Sequence, residues 1–138
     1  VQRRADHLGP DALVDETLRI VLEDPDALDA DVRATFVKIA ADRMEYPEAA
    51  RAYADAAGSL FWYMARNLDR DLTAALPAVP GLMVFGDRDQ LVDVTSARAL
   101  VERHPTLDVT WFDGIGHAPQ LEAPQRFVDA VDAWLNDR

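Results

Sequence analysis

Residues 82–117, "LMVFGDRDQLVDVTSARALVERHPTLDVTWFDGIGH", decide the fold. The apolar run Leu82–Phe85 is flanked by Pro80-Gly81 and by Gly86-Asp87, the signature of a short buried strand over about 82–86. "TSARALVERHP" predicts a helix with Ala97, Leu100 and Val101 inward. "LDVTWF" alternates, with Leu107, Val109 and Trp111 on one face and Asp108, Thr110 and Phe112 on the other. A final helix follows in "APQRFVDAVDAWL", with Pro124 in its first turn and Phe127, Val128, Val131, Trp134 and Leu135 expected to be buried. Strand, helix, strand, helix implies a parallel pair joined by a crossover, an α/β arrangement.

Upstream, residues 1–76 read as helical. Val14, Leu18, Val21 and Leu22 share one helical face, and Asp24-Pro25 breaks that run. A second helix is predicted from about Asp29 or Asp31, with Val32, Phe36, Ile39 and Ala40 inward. A third is predicted from Pro47 to about Asn67, with an apolar stripe of Tyr53, Ala56, Ala57, Leu60 and Met64. Trp62 belongs with the packing of that helix, or else lines a pocket beneath it.

Bulk chemistry narrows the function. The chain has 138 residues, enough for one domain that buries roughly two-thirds of its unfolded surface. It carries 14 Lys and Arg against 25 Asp and Glu, a net charge of −11. That disfavours nucleic acid, whose binding depends on cations that neutralise phosphates, and equally an anionic membrane surface. Without cysteine there are no disulfides, thiolate nucleophiles or Cys-based zinc sites. No secretory leader and no membrane span are visible, which fits a cytoplasmic protein. His7 and His104 lack ligand-like spacing, so no metal is expected; no cofactor is expected either. The chain opens on Val1 rather than Met, as a piece of a longer protein does.

In parallel sheets, sites form at the carboxyl ends of strands. One such end carries Gly86-Asp87-Arg88-Asp89, the other Asp113-Gly114-Ile115-Gly116-His117. Adjacent strands bring a carboxylate, Asp87 or Asp89, within reach of the His117 imidazole. A carboxylate on one ring nitrogen fixes the tautomer and leaves the other nitrogen as general base. Asp113 reads as a turn former, and Glu122 as a residue that orders the histidine loop or the start of the last helix.

These residues resemble the C-terminal end of an α/β-hydrolase with a lid. Gly86…Asp89 matches that family's G-x-x-D after strand seven. Gly116-His117 with Glu122, Pro124 and Phe127 matches its G-H…E-x-P-x-x-F after strand eight. The likeness covers about residues 80–135, and it favours Asp89 over Asp87 as the acid. It implies a partial α/β-hydrolase fold, with a helical lid at 1–77 followed by a βαβα unit at 78–138. It also implies a Ser-His-Asp triad, with catalytic Asp89 and His117, that cleaves an ester or related bond of a small-molecule substrate. Asp93 stands where the family has Pro. The nucleophile elbow G-x-S-x-G is missing: Ser59 lies in "AGSLF" and Ser96 in "VTSAR". The expectation is therefore a C-terminal portion that is inactive alone and that forms a homodimer or associates with its missing N-terminal part. The alternative is a non-catalytic interaction or oligomerisation module.

Overall fold

A computed structural model describes residues 9–46 and 48–137; His7 and Pro47 lie outside them. The described residues form a mostly helical chain with one small parallel sheet, a mixed α/β fold. They make two compact units. One comprises the residues up to Leu18 with Leu28–Leu68, the other Arg19–Ala27 with the chain from Asp69 onward.

Helix α1 spans Pro10–Val21, with Pro10 and Asp11 suited to its first turn and Arg19 to its last. Val14 and Leu18 are buried on its apolar face. Asp24-Pro25 then diverts the chain into a single 3₁₀ turn, Pro25–Ala27. Helix α2, Ala30–Met44, starts where Asp29 accepts hydrogen bonds from the amides of Asp31 (2.9 Å) and Val32 (3.1 Å). Arg33 on α2 pairs with Asp15 of α1 at 2.6 Å.

Helix α3, Ala49–Ala75, runs 27 residues, about 40 Å. It continues well past Asn67 because nothing before Pro77 stops it. Pro77 lacks an amide hydrogen and restricts Leu76, so the helix ends there. The inner faces predicted for α2 and α3 are not buried. Val32, Ile39, Tyr53, Leu60 and Met64 are all exposed, and Trp62 is 59% exposed. Every residue from 50 to 66 is exposed, so no side of that stretch is covered by the described residues. Among the described residues, Trp62 meets the edge of Phe61 and the guanidinium of Arg66 at 5.0 Å. Periodicity marks an apolar face without showing that anything lies against it.

Isolated helices are marginal in water, and most helical stability comes from tertiary packing. Amides of residues 53–66 are therefore expected to exchange with solvent about 100-fold faster than those of the paired strands. Hydrogen exchange read by mass spectrometry checks this. Equal protection would mean that the helix is covered in solution.

The second unit holds β1 (Gly81–Gly86), α4 (Val94–Arg103), β2 (Leu107–Phe112), α5 (Pro119–Glu122) and α6 (Pro124–Asn136). The strands pair in parallel from Gly81↔Leu107 to Gly86↔Phe112. Phe85 and Trp111 face each other in this register, with ring centroids 5.4 Å apart at a steep angle. Successive strand residues point to opposite faces. On the Trp111 face, α4 lays Arg98 over the indole at 4.7 Å. On the other, α6 lays Arg126 over Phe112 at 4.3 Å, and Trp134 Nε1 donates to Asp108 at 2.7 Å. Helices thus cover both faces, as a parallel sheet requires. Alternation in β2 has the predicted phase. In α6, Phe127, Val131 and Trp134 are half-buried, whereas Val128 and Leu135 are exposed, contrary to expectation, because they turn away from the sheet.

Asp93 caps α4. Its carboxylate accepts from the Ser96 amide at 2.9 Å and from the Ser96 hydroxyl at 3.1 Å. The amide bond in particular holds the carboxyl below its usual range. A capping aspartate is one local way to begin this helix where the resembling family has Pro. At the other end of α4, His104 is buried and its Nε2 lies 3.0 Å from Asp69, which also accepts from Arg103 Nε at 2.8 Å. Arg103, and then His104, lower the Asp69 carboxyl.

Candidate active site

The carboxyl ends of β1 and β2 lie side by side, and the loop after β2 crosses the end of β1. The Asp87 amide donates to Phe112 O (3.0 Å), and the Arg88 amide to Ile115 O (2.9 Å). The crossing leaves no room at Gly86. A Cβ there would sit 2.1 Å from Gly116 O and 2.2 Å from Ile115 O. Gly114 supplies the bend, at φ +71.

This crossing brings His117 to Asp89. Nδ1 of His117 lies 2.8 Å from Asp89 Oδ2. An ionised carboxylate can only accept, so Nδ1 carries the proton and Nε2 is the basic nitrogen. The Asp89 side chain is 3% exposed and that of His117 40%. The second oxygen of Asp89 accepts from the amides of Leu91 (2.7 Å) and Val92 (2.9 Å). The buried carboxylate is thereby fully engaged, and its direction toward the ring is fixed.

Asp87 is occupied elsewhere: its Oδ1 accepts from the Gly114 amide at 2.6 Å. Asp113 is exposed at the turn. Glu122, at the end of α5, accepts from the Gly116 amide at 2.7 Å. Its other oxygen accepts from the Glu23 amide at 2.9 Å. The His117 amide donates to Val21 O at 2.8 Å. Sequence reasoning placed Glu122 near the histidine loop but not the segment 21–24, which lies about a hundred residues away in the chain. No spacing rule reports such a partner.

Ser59 sits within α3, donating to Ala56 O, and Ser96 is engaged with Asp93. Neither is on a strand-to-helix elbow. Among the described residues no group of three His, Asp or Glu side chains is arranged to hold a metal ion, and no helix is long and apolar enough to cross a membrane. What the arrangement offers chemically is a proton acceptor of set tautomer and direction, backed by a buried carboxylate.

Protein families and curated proteins give no match to this chain. Among solved structures, it resembles the crystal structure of a membrane phospholipase A described as a bacterial virulence factor. The TM-score is 0.62 at 23% identity, over 93% of this chain and 38% of that one. At that identity the likeness concerns the fold. The chain spans well under half the length of that structure.

Proposed function

We propose that Asp89 and His117 are the acid and base of a Ser-His-Asp triad of the α/β-hydrolase type that cleaves an ester bond. The observation that carries this is the 2.8 Å contact between a half-exposed imidazole and a buried, doubly anchored carboxylate at adjoining strand ends. In this reading Nε2 of His117 takes the proton of a serine hydroxyl as the serine oxygen attacks the ester carbonyl. The imidazolium, stabilised by Asp89, then gives that proton to the departing alcohol. Water repeats the sequence on the acyl-enzyme. The serine and the oxyanion donors come from outside these 138 residues, which contain no G-x-S-x-G. The likeness to a phospholipase supports an ester as the bond.

The 138-residue chain by itself is therefore expected to show no turnover of p-nitrophenyl esters and no labelling by a fluorophosphonate probe. Residual catalysis after loss of a triad member depends on the oxyanion hole and substrate binding. Turnover that vanishes in His117→Ala would overturn the placement of the nucleophile outside this chain.

A second reading, a non-catalytic interaction or oligomerisation module, is favoured by one observation, the exposed stretch 50–66 with Leu60, Phe61, Trp62 and Met64 close together in it. Light scattering at several concentrations tests this second reading. A dimer dispersed by Trp62→Asp supports the second reading, and a persistent monomer counts against it.

A further inference from the structure

We propose that Glu122 is a positioning residue for His117, a two-sided strut between the histidine loop and the segment 21–24. The inference rests on the reading of Asp89 and His117 as acid and base.

Glu122 lies at the end of α5, the four-residue helix that begins two residues after His117. Its carboxylate faces two ways. Oε1 takes the Gly116 amide at 2.7 Å. Oε2 takes the Glu23 amide at 2.9 Å and, more weakly, that of Asp24 at 3.4 Å. The His117 amide is held by Val21 O at 2.8 Å. The two amides flanking the Gly116–His117 peptide step are thus both secured, one by Glu122 and one by the segment that Glu122 also grips.

Space is as tight as the bonding. A Cβ on Gly116 would lie 2.8 Å from both Glu23 N and Val21 O, and 2.9 Å from Glu122 Oε1. The backbone of Gly116 is therefore pressed against the strut, and any displacement passes through one peptide unit to the Cα of His117. The Nδ1–Oδ2 contact tolerates little of it, since a hydrogen bond is lost within a few tenths of an ångström beyond its normal range. With both oxygens on backbone donors, Glu122 does not compete with Asp89 for the ring.

The chemistry calls for a carboxylate. Amides converge from two sides, and only a group with two acceptor oxygens serves both. Glutamine, nearly the same shape, satisfies one side and turns its NH₂ against an N–H on the other. Glu122→Gln is thus a sharper probe than truncation.

The test uses the ¹⁵N-labelled 138-residue chain and two NMR readouts, the His117 Nδ1–H resonance and the exchange rates of the Gly116 and Glu23 amides. In the wild type the Nδ1–H signal should stand downfield of the amide envelope. In Glu122→Gln and Glu122→Ala the two amides should exchange about tenfold faster or more, the scale for losing one hydrogen bond to a charged group. The Nδ1–H signal should broaden or move toward the free-imidazole position, while strand amides from Gly81 to Phe112 keep their protection. Asp89→Asn should abolish the Nδ1–H signal and leave the Gly116 and Glu23 amides protected. Glu122→Gln with an unchanged Nδ1–H signal overturns this inference alone. Loss of strand protection in both Glu122 variants overturns it too, since the residue would then serve folding rather than aim. A wild type without the downfield signal overturns the acid–base reading and the inference with it.

Discussion

On the proposed triad, in a polypeptide that includes a serine nucleophile, His117→Ala is expected to lower kcat for an ester substrate by about 10⁶-fold, and Asp89→Asn by about 10⁴-fold. The difference follows from the geometry. Removing the imidazole removes the proton acceptor. Replacing the carboxylate by an amide leaves the ring in place but presents it with a group that can donate, which favours the wrong tautomer. The Leu91 and Val92 amides would still hold one side of the new side chain, so the fold should survive. Because the residues act as a unit, the double variant should be no slower than His117→Ala by itself. Single-turnover kinetics on a p-nitrophenyl ester read these values directly. A loss below about 100-fold for His117→Ala would end the triad reading, since general-base catalysis alone contributes that much.

The second large effect concerns stability. Gly86→Ala is expected to destabilise the strand unit by about 3 kcal/mol, the upper end for forcing atoms into a packed site. Its Cβ would meet two backbone carbonyls, Gly116 O and Ile115 O, and not the movable end of a side chain. Relief requires the histidine loop to lift off the end of β1, breaking the Arg88 amide bond to Ile115 O. Gly114→Ala is the informative comparison. That site has open space but a left-handed φ, so its cost should be about 1 kcal/mol. Urea unfolding followed by circular dichroism gives both numbers. A Gly86→Ala midpoint equal to the wild type's would show that the loop does not cross the strand in solution.

The parts of the fold that could be read from the chain were those whose cause is local. The apolar run before Gly86, the alternation in Leu107–Phe112 and the Pro at 124 each act within a few residues, and each marks the element found there. That a carboxylate of the first loop meets His117 was legible for a related reason: two strand ends joined by one helix leave few places for their loops to go, whereas the preference for Asp89 over Asp87 came from the family likeness. Helix α3 was harder. Its length is set by the absence of a stop before Pro77, and its apolar stripe carries no information about what lies opposite. Two features had no local signal at all. The grip of Glu122 on residues 23 and 24, and that of Asp69 on Arg103 and His104, join stretches far apart in sequence. Chemistry of that kind becomes visible only when the chain has folded.

The bond from Glu23 to Glu122 spans 99 positions, and this separation has a consequence for timing. Closing a flexible loop of that size costs about 4 kcal/mol of chain entropy. A ribosome making roughly 5–20 residues per second needs roughly 5–20 s between the two ends. Asp89 and His117 are separated by only 28 positions, so the strands can meet and the ring can find its carboxylate soon after both emerge. Residues 21–24 emerge long before His117, and Glu122 follows His117 by only five positions, so the two contacts differ in the chain entropy of closure and not in the order of synthesis. The longer closure costs about 1 kcal/mol more than the shorter one, so the Glu23–Glu122 bond is expected to close after the strands have paired.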